Sequence, residues 1–265
     1  MNTSIAKKLS DDASFVETPE IFVLAKSQIS GLEGEIYHKF GAQPTESTFS
    51  IESIIETAGR TCYLSFANPS GKTTGEYIRN LIRHGHESVL EHVSWTFVIA
   101  GVSRAFTHQL VRHRVGFSYS QLSQQYVDHR SIRFVIPAEL LKHPELVVPW
   151  KETVLAQRNA YIELIESLDH SPSPVKSSKE KLRSVRSAAR SVLPNCVEAV
   201  IAVTANARAW RHFLEVRGAT EGDIEMRRVS ALLLKALKHD APSIFFDFSQ
   251  RSLEDGWPIV MKNAV

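Results

Sequence analysis

Residues 92–113 read HVSWTFVIAGVSRAFTHQLVRH. Over residues 92–102, β-branched and aromatic side chains crowd a short run, which predicts a strand. Over residues 103–113, apolar residues fall at Ala105, Phe106, Leu110 and Val111, the spacing of one helix face. Outward from this stretch, residues 21–25 (IFVLA), 133–136 (RFVI, ended by Pro137) and 197–204 (VEAVIAVT) read as further strands. Helical spacing recurs over 51–58, 76–84, 145–168, 175–191, 207–217 and 224–239, and residues 66–75 (FANPSGKTTG) read as a loop. Strands and helices mix without a regular βαβ beat. That predicts an α+β fold, with several helices packed around a modest mixed or antiparallel sheet. Residues 1–20 are polar and aperiodic and read as a flexible tail. No linker or repeat divides the remainder, so residues 21–265 are expected to form one domain.

The chain has 265 residues, of which 43% are apolar, enough to bury a sizeable core. Its 31 basic and 29 acidic residues leave a net charge of +2. So even a balance gives no general attraction to nucleic acid, and any basic footprint must be local. Two cysteines, Cys62 and Cys196, exclude a disulfide framework and a metal site built from thiolates alone, and they fit a reducing compartment. The start, MNTSIAKKLSDDASF, has no apolar core after its lysines. The longest apolar stretch, residues 197–205, is interrupted by Glu198 and falls far short of the roughly 20 residues of a membrane helix. The expectation is a cytoplasmic protein with no membrane and no nucleic-acid partner.

Three groups of residues carry potential chemistry. Arg104, His108 and Arg112 stand at i, i+4 and i+8, one face if the helix continues, and Arg112-His113-Arg114 fans cations around its end. A polar run from Ser118 to Tyr126 follows, rich in hydroxyls and amides. Guanidinium groups bind phosphate bidentately and amides read base edges, so this pattern suits a phosphorylated small molecule. A solvated helix end explains the same cations through the helix dipole. Arg183, Arg186 and Arg190 share a second face. Arg183 and Arg186 read as a solvated charged face, while Arg190, near Pro194, reads as the ligand-facing member. In the third group Asn206 can cap the next helix, which puts Arg208 in its first turn, where a cation opposes the dipole and needs an anion nearby. His84, His86 and His92 lie close in sequence, but no HExxH or cysteine pair accompanies them, so no metal is expected. Cys196 follows Leu193-Pro194-Asn195, enters an apolar strand without a histidine beside it, and reads as a small buried residue.

The RHR triplet, the serines around a Tyr/Ser/Gln run and the closing Tyr126 resemble the signature of flavin-dependent thymidylate synthases, roughly RHRxxSxxxxSxRY. The resemblance covers most of residues 50–250: AGRTCY (58–63), GHESVLEH (85–92), HQLVRHR (108–114), Arg190 with Leu193-Pro194, and NARAWRHFLEVR (206–217) come in family order. It implies an α+β homotetramer whose active sites are shared between subunits. It also implies FAD as cofactor, methylation of dUMP at C5 from methylenetetrahydrofolate, NADPH as reductant and no cysteine nucleophile. Positions matching Ser88, Arg112, His113, Arg114, Gln121, Asn206, Arg208 and His212 belong to the family's flavin site, with His86 and Glu91 nearby. Positions matching Gln109, Arg112, Gln121, Ser123, Gln125 and Arg190 hold the nucleotide. The arginine matching Arg217 faces the pyrimidine, where a fixed cation would stabilise charge developing on the ring.

Four departures bear on the substrate. Val115-Gly116-Phe117 places three residues between Arg114 and Ser118, where the signature has two. Gln125 replaces the signature arginine. His212 stands where some members have Asn, and Glu221 where many have His. Methylation of UMP or another pyrimidine nucleotide in a specialised nucleoside pathway therefore stays open beside dUMP. A catalytically silent flavin- or nucleotide-binding paralogue also stays open, and a nucleic-acid binder using the arginine faces is a distant third.

Overall fold

A computed structural model of the chain describes residues 15–44, 50–67 and 71–264. Strands β1 (Phe15–Val16) and β2 (Glu20–Lys26) are followed by helices α1 (Glu33–Lys39), α2 (Ile51–Tyr63) and α3 (Thr74–Arg83). A 3-10 turn at Glu87–His92 leads into β3 (Ser94–Ser103), then α4 (Arg104–Leu110) and β4 (Phe117–Gln121). After β5 (Phe134–Val135) come α5 (Pro144–Asp169) and α6 (Ser178–Ala189), which pack on each other. Strand β6 (Glu198–Asn206) feeds α7 (Ala207–Arg217), followed by α8 (Ile224–Asp240), β7 (Phe248–Ser252) and β8 (Pro258–Lys262). The fold class is α+β, as the periodicities predict.

Among the described residues there are three sheets where the sequence predicts one. The main sheet has four strands in the order β2-β3-β6-β4. Strand β1 pairs parallel with β5, placing Phe15 opposite Phe134, and β7 pairs antiparallel with β8. Residues 1–14 lie outside the described residues; Phe15, which falls in the expected tail, packs with Trp150 and Phe134 in an apolar cluster.

The chain divides into two compact units and passes between them within β2, β3, β4 and β6 and again between Arg112 and His113. The first holds the described residues up to Glu20, then Ile99–Arg112 and Ser120–Ile201. Its core joins Ile132, Phe134, Val154 and Val197, with a second cluster of Tyr161, Ile165, Val185 and Ala189 where α5 meets α6. A bidentate pair, Arg133 to Glu198 at 2.7 and 2.6 Å, ties the start of β5 to β6. The second unit holds Ile21–Val98, His113–Tyr119 and the chain from Ala202 onward. Its core is aromatic: Phe97 and Phe117 each meet Trp210 edge to face at 5.3 Å. There Arg211 is held by Asp247 through two bonds of 2.6 and 2.7 Å, with both side chains buried.

Local chemistry fixes the helix starts. Ser50 and Thr73 each form a reciprocal capping box at the heads of α2 and α3. Ser103 caps α4 through Phe106 N–H at 3.0 Å. Helix α4 stops at Leu110, so Arg112 stands beyond it and does not share a helix face with Arg104 and His108. The expected loop at 66–75 gives way to α3 at Thr74, with 68–70 outside the described residues.

Candidate active site

The head of α7 builds the first constellation, within the second unit. Asn206 ends β6 and caps α7, its Oδ1 accepting from Ala209 N–H at 2.8 Å. Arg208 therefore sits in the first turn, and the anion its position calls for is Glu91, whose Oε1 accepts from Arg208 Nη1 at 2.6 Å. Both side chains are about half exposed, at 51% and 48%, so this pair orients Arg208 more than it stabilises the fold. Together with His212, one turn on, these residues line a cleft of about 460 Å³ whose wall also includes Gly116 and Lys262. Gly116 has φ +75°, and a Cβ there would lie 2.9 Å from both Asn206 Nδ2 and Ala209 Cβ. Only glycine lets the backbone lie this close. The residue inserted between Arg114 and Ser118 is thus absorbed in a left-handed turn against the head of α7.

At the far end of α7, Arg217 Nε donates to His113 Nε2 at 2.9 Å. For Nε2 to accept, this imidazole must be neutral with its proton on Nδ1. The His113 ring lies edge-on to Phe213 at 5.3 Å and 6.0 Å from His212. Tyr119, from β4, donates its hydroxyl to the His113 carbonyl at 2.6 Å. Burial pushes that phenol well above its ordinary value, so it stays protonated and able to donate. His113 and Arg217 are therefore held half-buried, whereas Arg114 is exposed. Ser88 and His86 lie exposed in and beside the 3-10 turn that carries Glu91.

The second constellation lies within the first unit. Arg104 begins α4 and Arg190 ends α6, and both are half-buried. No carboxylate pairs with either among the described residues. Burial first, and then the charge of Arg190, pushes the Arg104 guanidinium below its ordinary value. The two guanidinium groups repel and have no carboxylate partner among the described residues, so a dianion bound between them would relieve the repulsion. Gln121 ends β4, and its Nε2 donates to Thr107 Oγ1 on α4 at 3.0 Å. Ser123 Oγ accepts from Gln125 N–H at 3.2 Å and Tyr126 N–H at 3.4 Å, closing a turn around the polar run. Gln109 lies half-buried on α4, and Arg112 is exposed just after it.

Four sequence expectations are corrected here. The spacing puts Arg104 on one face with Arg112, but α4 ends at Leu110, and the charge that bears on Arg104 is that of Arg190. Arg183 and Arg186 are partly solvated but also bind the polar run: Arg186 Nη1 donates to the Tyr126 carbonyl at 2.7 Å, and Arg183 Nε to Gln125 Oε1 at 3.3 Å. The cation at Arg208 meets a carboxylate of this chain, so its dipole mismatch does not by itself require a bound phosphate. Cys196 is half-buried against the Phe134 cluster, two residues before β6 begins, and is not the fully buried residue its apolar surroundings predict. Among the described residues, no group of three His, Cys, Asp or Glu gathers at metal-binding geometry.

An α+β fold with two arginines that lack a carboxylate partner among the described residues and an amide-lined turn in one unit, and a polar cleft of balanced charge at a helix head in the other, suits a protein that handles phosphorylated small molecules. The particular family follows from comparison. The model of the thymidylate synthase complementing protein family matches residues 46–243, and the chain belongs to that family. Similar curated proteins include the flavin-dependent thymidylate synthase of Mycobacteroides abscessus, 45% identical over 215 residues, covering 80% of this chain and 86% of that protein. That of Mycolicibacterium gilvum is 43% identical over 206 residues, covering 77% and 82%. That of Mycobacterium avium is 44% identical over 206 residues with the same coverage.

Proposed function

We propose that the chain is a flavin-dependent methyltransferase that converts dUMP to dTMP, with methylenetetrahydrofolate as one-carbon donor and NADPH as reductant. The observation that carries this is the Arg104–Arg190 pair beside the Gln121–Gln125 turn, in a chain that is 45% identical to a flavin-dependent thymidylate synthase. A dianionic phosphate neutralises the two cations, and the amides of Gln109 and Gln121 address the rest of the nucleotide, whereas both ends of the Gln125 amide are taken by helix α6.

The cleft at the head of α7 fits FAD in its donor set. Arg208 and Lys262 bring donors that Glu91 and Glu215 of this chain already engage, His212 and Asn206 supply ring and amide groups, and bare backbone at Gly116 admits a close approach. Ser88, His86, Glu91 and Arg114, of the same unit, are the further residues assigned to this cofactor. When bound and reduced, FAD supplies the hydride that makes a methyl group of the transferred carbon. His113 fixes the direction of Arg217 by accepting from Nε, and the Tyr119 bond to its carbonyl holds its backbone. A guanidinium fixed in this way stabilises negative charge on the pyrimidine without reorganising as that charge forms. No thiol takes part, consistent with an exposed Cys62 and with Cys196 set against apolar packing.

Residues 21–265 act as the catalytic domain of a cytoplasmic homotetramer with shared active sites. In support, outer strand β2 exposes Phe22, Val23 and Leu24, an apolar edge of the kind that subunit contacts cover. Among the described residues no helix is long and apolar enough to cross a membrane. Light scattering tests the assembly. The function is tested by methyl transfer to dUMP and to UMP in parallel: preference for dUMP supports the reading, and preference for UMP replaces it.

A further inference from the structure

Position 125 carries a neutral amide where the signature motif has a cation. The Gln125 amide is hooked onto helix α6: Nε2 donates to Ser187 Oγ at 3.2 Å, and Oε1 accepts from Arg183 Nε at 3.3 Å. The Arg183 guanidinium also lies 5.6 Å from the ring centroid of Tyr126. One turn along, Arg186 Nη1 donates to the carbonyl of that tyrosine at 2.7 Å. Two guanidinium groups from α6 thus converge on residues 125 and 126.

This geometry makes Gln125 and Arg183 complementary. An amide oxygen accepts a charge-assisted bond without bringing a charge of its own. An arginine at position 125 would instead set two cations side by side. Glu180 Oε2 lies 3.3 Å from Arg183 Nη1, but the two side chains are 42% and 50% exposed, so water screens that pair and leaves a cation to offer. Arg183 also stands seven residues before Arg190, two helical turns along the same face.

We propose that Arg183, oriented by Gln125, is the substrate-binding cation that replaces the arginine absent from position 125, and that it binds the nucleoside monophosphate. This rests on the function proposed above. The positive charge is moved from the turn to helix α6, so the site keeps its cation while its source changes.

The test is calorimetric binding of dUMP to the FAD-loaded enzyme, run beside methyl transfer. Arg183→Gln weakens dUMP binding about tenfold, the loss of one partly screened charge-assisted bond, with flavin content and melting temperature unchanged. The exchange variant Gln125→Arg/Arg183→Gln returns the Kd to within about threefold of wild type, a rescue that a merely structural role for Arg183 would not produce. A Kd for Arg183→Gln within twofold of wild type overturns the proposal, as does an exchange variant no tighter than the single one. Wild-type enzyme that binds dUMP but transfers no methyl group overturns the proposed function alone and leaves Arg183 to be judged by Kd. Wild-type enzyme that does not bind dUMP overturns both.

Discussion

Gly116→Ala puts the inserted turn to a quantitative test. Its φ of +75° lies in the left-handed region, which costs an L residue about 1–2 kcal/mol. The new Cβ would also sit 2.9 Å from Asn206 Nδ2 and from Ala209 Cβ, closer than real contacts allow. Ala209 is fixed in the helix, so Asn206 must yield, and with it the 2.8 Å cap to Ala209 N–H, worth about 1 kcal/mol. The total is about 2–3 kcal/mol, a fall in melting temperature of roughly 4–12 °C for a chain of this length. Gly256→Ala is the control: its φ is +81° and nothing lies within 4 Å, so only the backbone cost of about 1–2 kcal/mol applies. Differential scanning calorimetry reads the two melting temperatures, and absorbance of the purified proteins reads bound flavin. Gly116→Ala should melt lower than Gly256→Ala and retain less flavin, because Gly116 and Asn206 line one cleft. Equal melting shifts with full flavin in both variants would refute the argument that this turn shapes the cleft.

Arg104→Gln should raise the dUMP KM by tenfold or more, with a far smaller effect on retained flavin, because one of two cations facing a dianion is lost; steady-state kinetics with a flavin assay checks this. His129 is buried, its Nε2 has no hydrogen-bond partner among the described residues, and burial pushes it below its ordinary value. The charges of Arg104 and Arg186 act the same way, against the Ser123 backbone and Asp128. Above about pH 6.5 both native and unfolded states hold it neutral; as pH falls below that, the unfolded state takes the proton first and stability drops. The melting temperature should therefore decline from pH 7 to 5 less steeply in His129→Gln than in wild type, and parallel slopes would count against this. The double variant Cys62→Ser/Cys196→Ser should keep methyl transfer within about threefold in single turnover, whereas a loss of a hundredfold or more would point to a thiol nucleophile.

Much of the fold can be read from local pattern. The period-two run of β3 and the spacings of α2, α5, α7 and α8 are strong because each lays an apolar face on a core. Strand β4 escaped because Phe117-Ser118-Tyr119-Ser120-Gln121 is mostly polar and was weighed as chemistry. Its alternation of half-buried and exposed residues is nevertheless a strand signal, visible in Phe117 and Tyr119. The β7–β8 hairpin carries Asp255-Gly256 at its turn, a recognised hairpin dipeptide, but Pro258 at the start of β8 and the polar residues of β7 weaken the strand pattern on either side. The Asn206 cap was legible because Asn, strand and helix adjoin in sequence. Long-range pairings were not. Arg104 with Arg190, Arg217 with His113 and Arg183 with Gln125 join elements whose separation in the chain carries no periodic signal. The ordered motifs nominated most of these residues, but only the packing shows which side chains face each other.

The central claim is C5 methylation of dUMP, and the most direct measurement is a single turnover of photoreduced, FAD-loaded enzyme with methylenetetrahydrofolate. It would be run with dUMP and UMP in parallel and the products identified by mass. The account predicts one methyl gained by dUMP and little or none by UMP. Flavin-loaded enzyme that methylates neither nucleotide, or UMP alone, would contradict it.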